Sequence, residues 1–337
     1  MSESSSERPL ASLLLIAYRQ ADSIEDAIAG ALAQTYSPLE IVLSDDASPD
    51  DTYARMQAAV AGYTGPHRIV LNRNPSNMGI GAHIDHVARL SHGEMLFVAA
   101  GDDISLPTRV ERVMAAWEDS GRQLDLIASA LVDIDEQGRE HERICPDQLA
   151  AYRNAADWLA KPPYVIGAAQ AWTRRLFDRF GGLPRGVMFE DLVMVFRAIV
   201  AGGARTLDAP LVRYRRGGFS AKQRSLSAED VSRRLLRGAR SALIEIPLLW
   251  DAARQSGQAA AVDTAFKAKL QREQYIHDIL LAEGLGKKLG LFLGARGVPM
   301  AIRVRLLAYA AFPWLLAPWF AAKRWRARRK AARQANQ

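Results

Sequence analysis

The sequence predicts an α/β fold: a mostly parallel sheet with helices on both faces, followed by a C-terminal helical extension. Short aliphatic runs alternate with segments of helical period from residue 10 to residue 103. Those runs are continuously apolar rather than alternating, as strands covered on both sides are. From residue 226 onward the pattern is helical alone.

The first run, SLLLIA, reads as a buried strand ending at Ala17-Tyr18. Asp22 to Gln34 follows with Ile24, Ala27, Ile28, Ala31 and Leu32 at helical spacing, and Asp22 or Ser23 is its expected cap. LEIVLSDD is a second strand, 51–62 a helix, HRIVLN a third strand, 80–91 a helix and EMLFVAA a fourth strand. Further strands are expected in LDLIASALVDID, YVIGAAQAWT and APLVRY, and helices at 174–180 and 190–201. Amphipathic helices are expected at 228–255 and 258–283, ahead of a glycine-rich stretch, 284–297. The organisation expected is a catalytic domain over 8–225, a helical extension over 226–297, and an aromatic segment with a basic tail over 298–337.

Hydrophobic residues make up 49% of the chain and charged ones 24%, which excludes collagenous and wholly disordered classes. A single cysteine, Cys145, excludes an internal disulfide and a multi-cysteine zinc site. The net charge of +7 is unevenly placed. No acidic residue follows Glu283, and the last 54 residues hold 12 of the 44 basic ones, so residues 1–283 carry a net −5. Such asymmetry points to a polyanionic partner for the C-terminus. No nucleic-acid-binding module accompanies it, so an anionic membrane surface is the expected partner. Residues 306–322 are uncharged and contain Tyr309, Phe312, Trp314, Trp319 and Phe320, with Pro313 and Pro318 interrupting them. That composition suits a helix lying in a membrane interface better than one crossing it, the alternative being a packed core helix. The N-terminus is acidic and serine-rich and its apolar run is too short for a secretory signal, so the expected location is the cytoplasmic face of the plasma membrane.

Polar clusters end three of the strands. In parallel sheets that edge is where ligands bind. Tyr18 closes the first strand, Asp45-Asp46 closes the second and Asp102-Asp103 follows the fourth through Gly101, while Glu190-Asp191 opens an apolar helix. Adjacent carboxylates suit Mg²⁺ or Mn²⁺, which take oxygen ligands. An Asx turn explains an isolated Asp-Asp equally well.

Taken together, DDAS, GDDISLPTRVE, FGGLP and the FED that precedes Arg197 and Gly202 resemble the family-2 glycosyltransferases of the GT-A fold, over roughly residues 10–220. The resemblance implies an inverting transferase that moves a sugar from a nucleotide-diphosphate donor to a hydroxyl of a glycan or lipid-linked acceptor, in surface polysaccharide or lipopolysaccharide synthesis. It implies donor-nucleotide contacts at Ala17, Tyr18, Asp46 and Asp102, a divalent cation (Mn²⁺ or Mg²⁺) at Asp103, and a base at Asp191. The ribose and metal roles stay open between Asp102 and Asp103, because Ala100 stands where many relatives carry another Asp. Glu190, Arg216 and Lys222 are further candidates for diphosphate or acceptor contacts. Ile84-Asp85 replaces an Arg-Asn pair common in relatives, and a common histidine is replaced within Arg215–Gly217. The alternatives are a sugar-nucleotide nucleotidyltransferase, which would carry a Gly-rich Arg-Lys loop after the first strand, and an inactive homologue acting as a membrane-bound binding protein.

Overall fold

The computed structural model describes residues 8–215, 227–323 and 325. The chain divides into two compact units, Met1–Ala221 with Leu248–Val262, and Lys222–Pro247 with Asp263–Gln337. The helical stretch after residue 226 is therefore shared between the units, where the sequence pattern alone groups it in one extension.

The first unit opens with β1 (Ala11–Ala17), α1 (Ile24–Leu32), β2 (Leu39–Asp45), α2 (Thr52–Val60), β3 (Arg68–Arg73), α3 (Ile80–Leu90) and β4 (Met95–Ala100). It continues through β5 (Ile104–Ser105), α4 (Arg109–Asp119), β6 (Leu126–Ile134), β7 (Glu140–Ile144) and α5 (Ala155–Ala160). β8 (Gln170–Thr173), α6 (Arg174–Phe180), α7 (Glu190–Ala201) and β9 (Ala204–Arg215) complete it. The strands form one sheet in the order β3-β2-β1-β4-β8-β6-β9-β5, with β7 on β6. β3, β2, β1 and β4 are mutually parallel, as are β6 and β9. β8 runs antiparallel to both β4 and β6.

Both faces of β1, β2 and β4 are covered, which is why these strands are largely apolar, whereas the edge strand β3 is partly exposed and keeps Arg68 and Arg73. Leu13 and Leu15 of β1, Leu43 of β2 and Phe97 of β4 share one cluster with Ile28 of α1, Met56 of α2 and Met114 of α4. On the opposite face α3 buries Ile84 and Val87, and its His83 bonds to Ser44 of β2. YVIGAAQAWT is a strand only at Gln170–Thr173; Gly167–Ala169 form a 3₁₀ turn. A Cβ on Gly167 would stand 2.8 Å from the Glu190 Oε1, so the turn is shaped by the start of α7.

In the second unit α8 (Ala228–Gln255) contributes its residues up to Pro247, which cannot donate an intrahelical hydrogen bond. α9 (Ala259–Leu281), α10 (Leu285–Gly294) and α11 (Met300–Ala311) follow. Ala239, Ile276, Ile279, Val298 and Leu306 form the core here. α10 lies in the glycine-rich stretch 284–297, within the expected helical extension. Leu291 and Ala295 pack against the core and hold the segment helical despite three glycines.

At the amino edge of the sheet, buried Glu40 accepts hydrogen bonds from Ser12 Oγ (2.9 Å) and the His92 N–H (2.8 Å), and pairs with Arg68 at 3.2 Å. Burial alone would raise its pKa, but the bonds from His92 and Ser12 outweigh it and hold the carboxyl below its ordinary value. A depressed carboxyl contributes stability above its unfolded pKa, about 4.3, and loses it as pH falls through the lower folded value. Urea unfolding across that acid window should therefore show a smaller loss for Glu40→Gln than for the native chain; parallel curves would exclude Glu40 as the source.

Candidate active site

The carboxyl ends of β1, β2 and β4 lie level, with Ile16 beside both Ser44 and Ala100. The turns after β2 and β4 are stitched to β1 by backbone hydrogen bonds, Asp46 N–H to Ala17 O and Gly101 N–H to Ile16 O, each 2.9 Å. Gly101 is required there, since a Cβ would fall 2.6 Å from Gln20 Oε1 and 2.8 Å from Ala17 Cβ. Ala17, Tyr18, Asp46, Asp102 and Asp103 thus gather on one edge. Ala17 is buried, whereas Tyr18 is exposed, with the Arg19 guanidinium 5.4 Å from its ring centre.

Asp46 is buried and both its carboxylate oxygens are engaged. Oδ1 accepts from Asn74 Nδ2 and the Met78 N–H, both at 2.8 Å, and Oδ2 accepts from the Gly79 N–H at 3.0 Å. The carboxylate therefore holds the loop that begins α3, at the end of the helix where a negative charge is favoured. Asn74 is itself held through Asn72, which donates to Asn74 Oδ1 (2.9 Å) and to Ser44 Oγ (2.8 Å). Ser44 Oγ lies 2.7 Å from His83 Nε2. Burial drives the His83 pKa down to about 4 against the attraction of Asp46 and Asp45, so this imidazole is neutral near pH 7. Asp45 Oδ2 accepts the Ser48 N–H and pairs with Arg73 at 3.3 Å, a turn-forming role beside Asp46.

Asp103 is buried, and one oxygen accepts the Arg215 N–H at 2.8 Å. Burial pushes its pKa well above the ordinary carboxylate value, and Asp102 adds to this; the Arg215 bond and the Arg109 charge oppose it. Burial also raises Asp102, against its own backbone hydrogen bond, Arg215 and Gln20. Among the described residues no group of three or more His, Cys, Asp or Glu side chains is arranged to hold a metal ion. The adjacent aspartates nonetheless fit a hard cation, since they are oxygen donors in surroundings that penalise unpaired negative charge.

Two arginines frame the pair. Arg215 ends β9 and donates to the carbonyls of Asp102 (3.2 Å), Asp135 (3.1 Å) and Glu136 (2.9 Å). Arg109, wholly buried, donates to Ser105 Oγ (2.9 Å) and Val98 O (2.8 Å). Sequence reasoning did not single out either one in this role, although Arg109 lies within GDDISLPTRVE and Arg215 within YRRGG.

The antiparallel strand β8 brings the second half of the unit to the same edge. Gln170, which starts β8, lies beyond the Ala171–Phe97 pair, and its Nε2 donates to Asp191 O at 3.4 Å. Glu190 is buried, and the Asp191 carboxylate accepts the Leu192 N–H at 2.8 Å in the first turn of α7. Arg197, further along α7, holds the preceding FGG turn through the carbonyls of Phe180, Gly181 and Gly182. Asp85 accepts the Leu183 N–H at 2.9 Å, which ties α3 to that turn and accounts for a carboxylate at this position. Arg216 and Lys222 lie outside the described residues.

Residues 12–180 match the family model described as Glycosyl transferase family 2. The putative glycosyltransferase EpsE of Bacillus subtilis (strain 168) is 30% identical over 138 residues, 41% of this chain and 49% of that protein. The succinoglycan biosynthesis protein ExoU of Rhizobium meliloti (strain 1021) is 32% identical over 136 residues, 39% of this chain and 36% of that protein. The chain thus spans half the length, or less, of these relatives. Among solved structures, S. aureus TarS 1–349 in complex with UDP-GlcNAc superimposes with a TM-score of 0.51 at 16% identity, covering 89% of this chain and 87% of that one. The mannosyltransferase PcManGT from Pyrobaculum calidifontis, in complex with GDP-Man and Mn²⁺, gives 0.50 at 17% identity, covering 90% and 87%. At these identities the likeness establishes the GT-A fold.

Asp46→Asn should destabilise the chain by about 1–3 kcal/mol, because an amide N–H₂ must then face one of three donors. Urea unfolding measures this, and an unchanged midpoint would show that the α3 loop does not depend on the carboxylate.

Proposed function

Because the chain belongs to glycosyl transferase family 2, we infer that it is an inverting transferase moving a sugar from a nucleoside-diphosphate donor to a hydroxyl of a glycan or lipid-linked acceptor. The observation that carries this reading is the convergence of Asp46, Asp102-Asp103 and Asp191 on one edge of the sheet. The donors named with TarS and PcManGT, UDP-GlcNAc and GDP-Man, support a nucleotide-sugar donor here. EpsE and ExoU support an acceptor in polysaccharide synthesis.

In this reading Tyr18 stacks on the base, and Asp46, with the Ala17 backbone beside it, meets the base's polar edge. Asp102 would meet the ribose, and Asp103 would hold a divalent cation beside the donor. When bound, that cation neutralises charge developing on the leaving diphosphate. Asp191 takes the acceptor proton as the hydroxyl attacks the anomeric carbon from the side opposite the leaving group, which inverts it. Buried Glu190 helps to shape the acceptor side.

Two substitutions separate these roles. Asp103→Ala should abolish Mn²⁺-dependent UDP or GDP binding in calorimetry, whereas Asp191→Asn should bind nucleotide normally yet lose at least a hundredfold in turnover. Unchanged nucleotide affinity in the first, or near-native transfer in the second, would remove that residue from its role.

We further propose that the protein is peripheral on the cytoplasmic face of the plasma membrane. No single helix among the described residues is long and apolar enough to cross a bilayer; Met300–Ala311 and Pro313–Lys323 reach that composition only as a pair bent by 103°. Trp314 and Trp319 are exposed, as interfacial anchors are. Val298 and Leu306 belong to the core, so a truncation that tests the tail must spare them. Removing residues 324–337 changes the net charge from +7 to +1 and should weaken flotation with anionic liposomes about tenfold or more, with high salt mimicking the loss in the full chain. Equal flotation of both forms would exclude the tail as an electrostatic anchor.

A further inference from the structure

Helix α10 carries an apolar face that the core of its unit does not use. Leu285, Leu289 and Leu293 stand four residues apart, so they form one stripe, and they are 49%, 40% and 77% exposed. Gly286, Gly290 and Gly294 form the adjacent stripe, and a Cβ on any of them would meet nothing within 4 Å. At about 100° per residue the two stripes together cover roughly half the helix circumference without a charge. The opposite side is committed: Leu291 and Ala295 pack against the core of the unit, and Lys288 Nζ donates to the Ala310 carbonyl. The exposed half is not explained by helix stability, because three glycines weaken an isolated helix and exposed leucines gain nothing in water.

We propose that the Leu285–Leu289–Leu293 face of α10 inserts into the interface of an anionic phospholipid bilayer, making α10 a second membrane-contacting element beside the aromatic segment. This rests on the peripheral-membrane reading above and adds an element to which the charge pattern alone does not point. Charge selects the occupant. No acidic residue follows Glu283, and exposed Lys287, Arg296 and Arg305 accompany the apolar face. A bilayer of anionic headgroups complements that arrangement, whereas a second copy of the chain would bring the same uncompensated positive charge against it. The face is continuous in sequence with α11, where Met300 and Val304 are also more than half exposed, and with exposed Trp314 and Trp319. An apolar half with basic residues accompanying it is the composition of a helix lying in a membrane plane.

The test uses the full chain and vesicles of phosphatidylcholine with phosphatidylglycerol. Leu289→Glu with Leu293→Glu should lower the vesicle-bound fraction about tenfold or more at low salt while UDP-dependent thermal stabilisation stays native, which shows that the catalytic unit remains folded. Leu289→Phe with Leu293→Phe should retain binding. Independently, an environment-sensitive fluorophore on Leu293→Cys, in a Cys145→Ser background, should shift to the blue when anionic vesicles are added. A chain that floats but whose probe at 293 stays in water, or a Glu pair that floats like the native chain, overturns the role of α10 and leaves the peripheral reading standing. A native chain that fails to float overturns both. Dimerisation in sedimentation equilibrium that the Glu pair abolishes, without native binding to vesicles, assigns the face to a second copy instead.

Discussion

Two backbone hydrogen bonds, from Asp46 N–H to the Ala17 carbonyl and from Gly101 N–H to the Ile16 carbonyl, set the geometry on which the candidate site depends. They extend the parallel ladders of β1 by one residue on each side, so two Asp-Asp pairs 57 residues apart in sequence emerge level with each other. The register is fixed in turn by cores on both faces of the sheet. Slipping β2 or β4 by one residue would exchange the side chains that meet α1, α2 and α4 for those that meet α3. The chemistry at the edge is thus positioned by apolar packing deep in the sheet.

Burying that many ionisable groups is costly unless each is matched, and the first unit matches them in two ways. Around Asp46 the match is dipolar: backbone N–H groups and the Asn72, Asn74 and Ser44 side chains complete the set, while His83 stays neutral. Around Asp102-Asp103 it is ionic, through Arg109 and Arg215, and incomplete, since burial still holds both carboxyls above their ordinary range. The first arrangement is self-sufficient and suits a fixed shape. The second has capacity left for positive charge, which is the property a diphosphate-bound cation requires.

β1, β2 and β4 were legible because burial on both faces keeps them largely apolar, and β3 by its short Ile-Val-Leu run; the two Asp-Asp pairs were legible because each directly ends or follows a buried strand. β7, with the sequence EHERI, carries no apolar alternation and owes its existence to pairing with β6. Helix α4 has clear spacing in Val110, Val113, Met114 and Trp117, yet merges in sequence with the polar segment before it. α10 falls within the expected helical extension, but its three glycines blur its bounds in the sequence. Within the site, the contacts of Arg215 with Asp103 and of Asp46 with the α3 loop span 112 and 33 residues. Such partners depend on tertiary placement, and local pattern carries no trace of them.

The engagement of Asp46 also makes a site residue into a structural joint. A carboxylate offers about four lone-pair positions, and three hydrogen bonds to Asn74, Met78 and Gly79 occupy most of them. Any ligand that claims the vacant position shares its oxygens with the start of α3. Linkage is reciprocal, so a ligand that tightens or loosens those bonds alters the opening of the 74–79 loop by the same free energy with which the loop alters the ligand's affinity. The amide protons of Met78 and Gly79 would then report occupancy from outside the ligand itself, through the rate at which they trade with solvent deuterium.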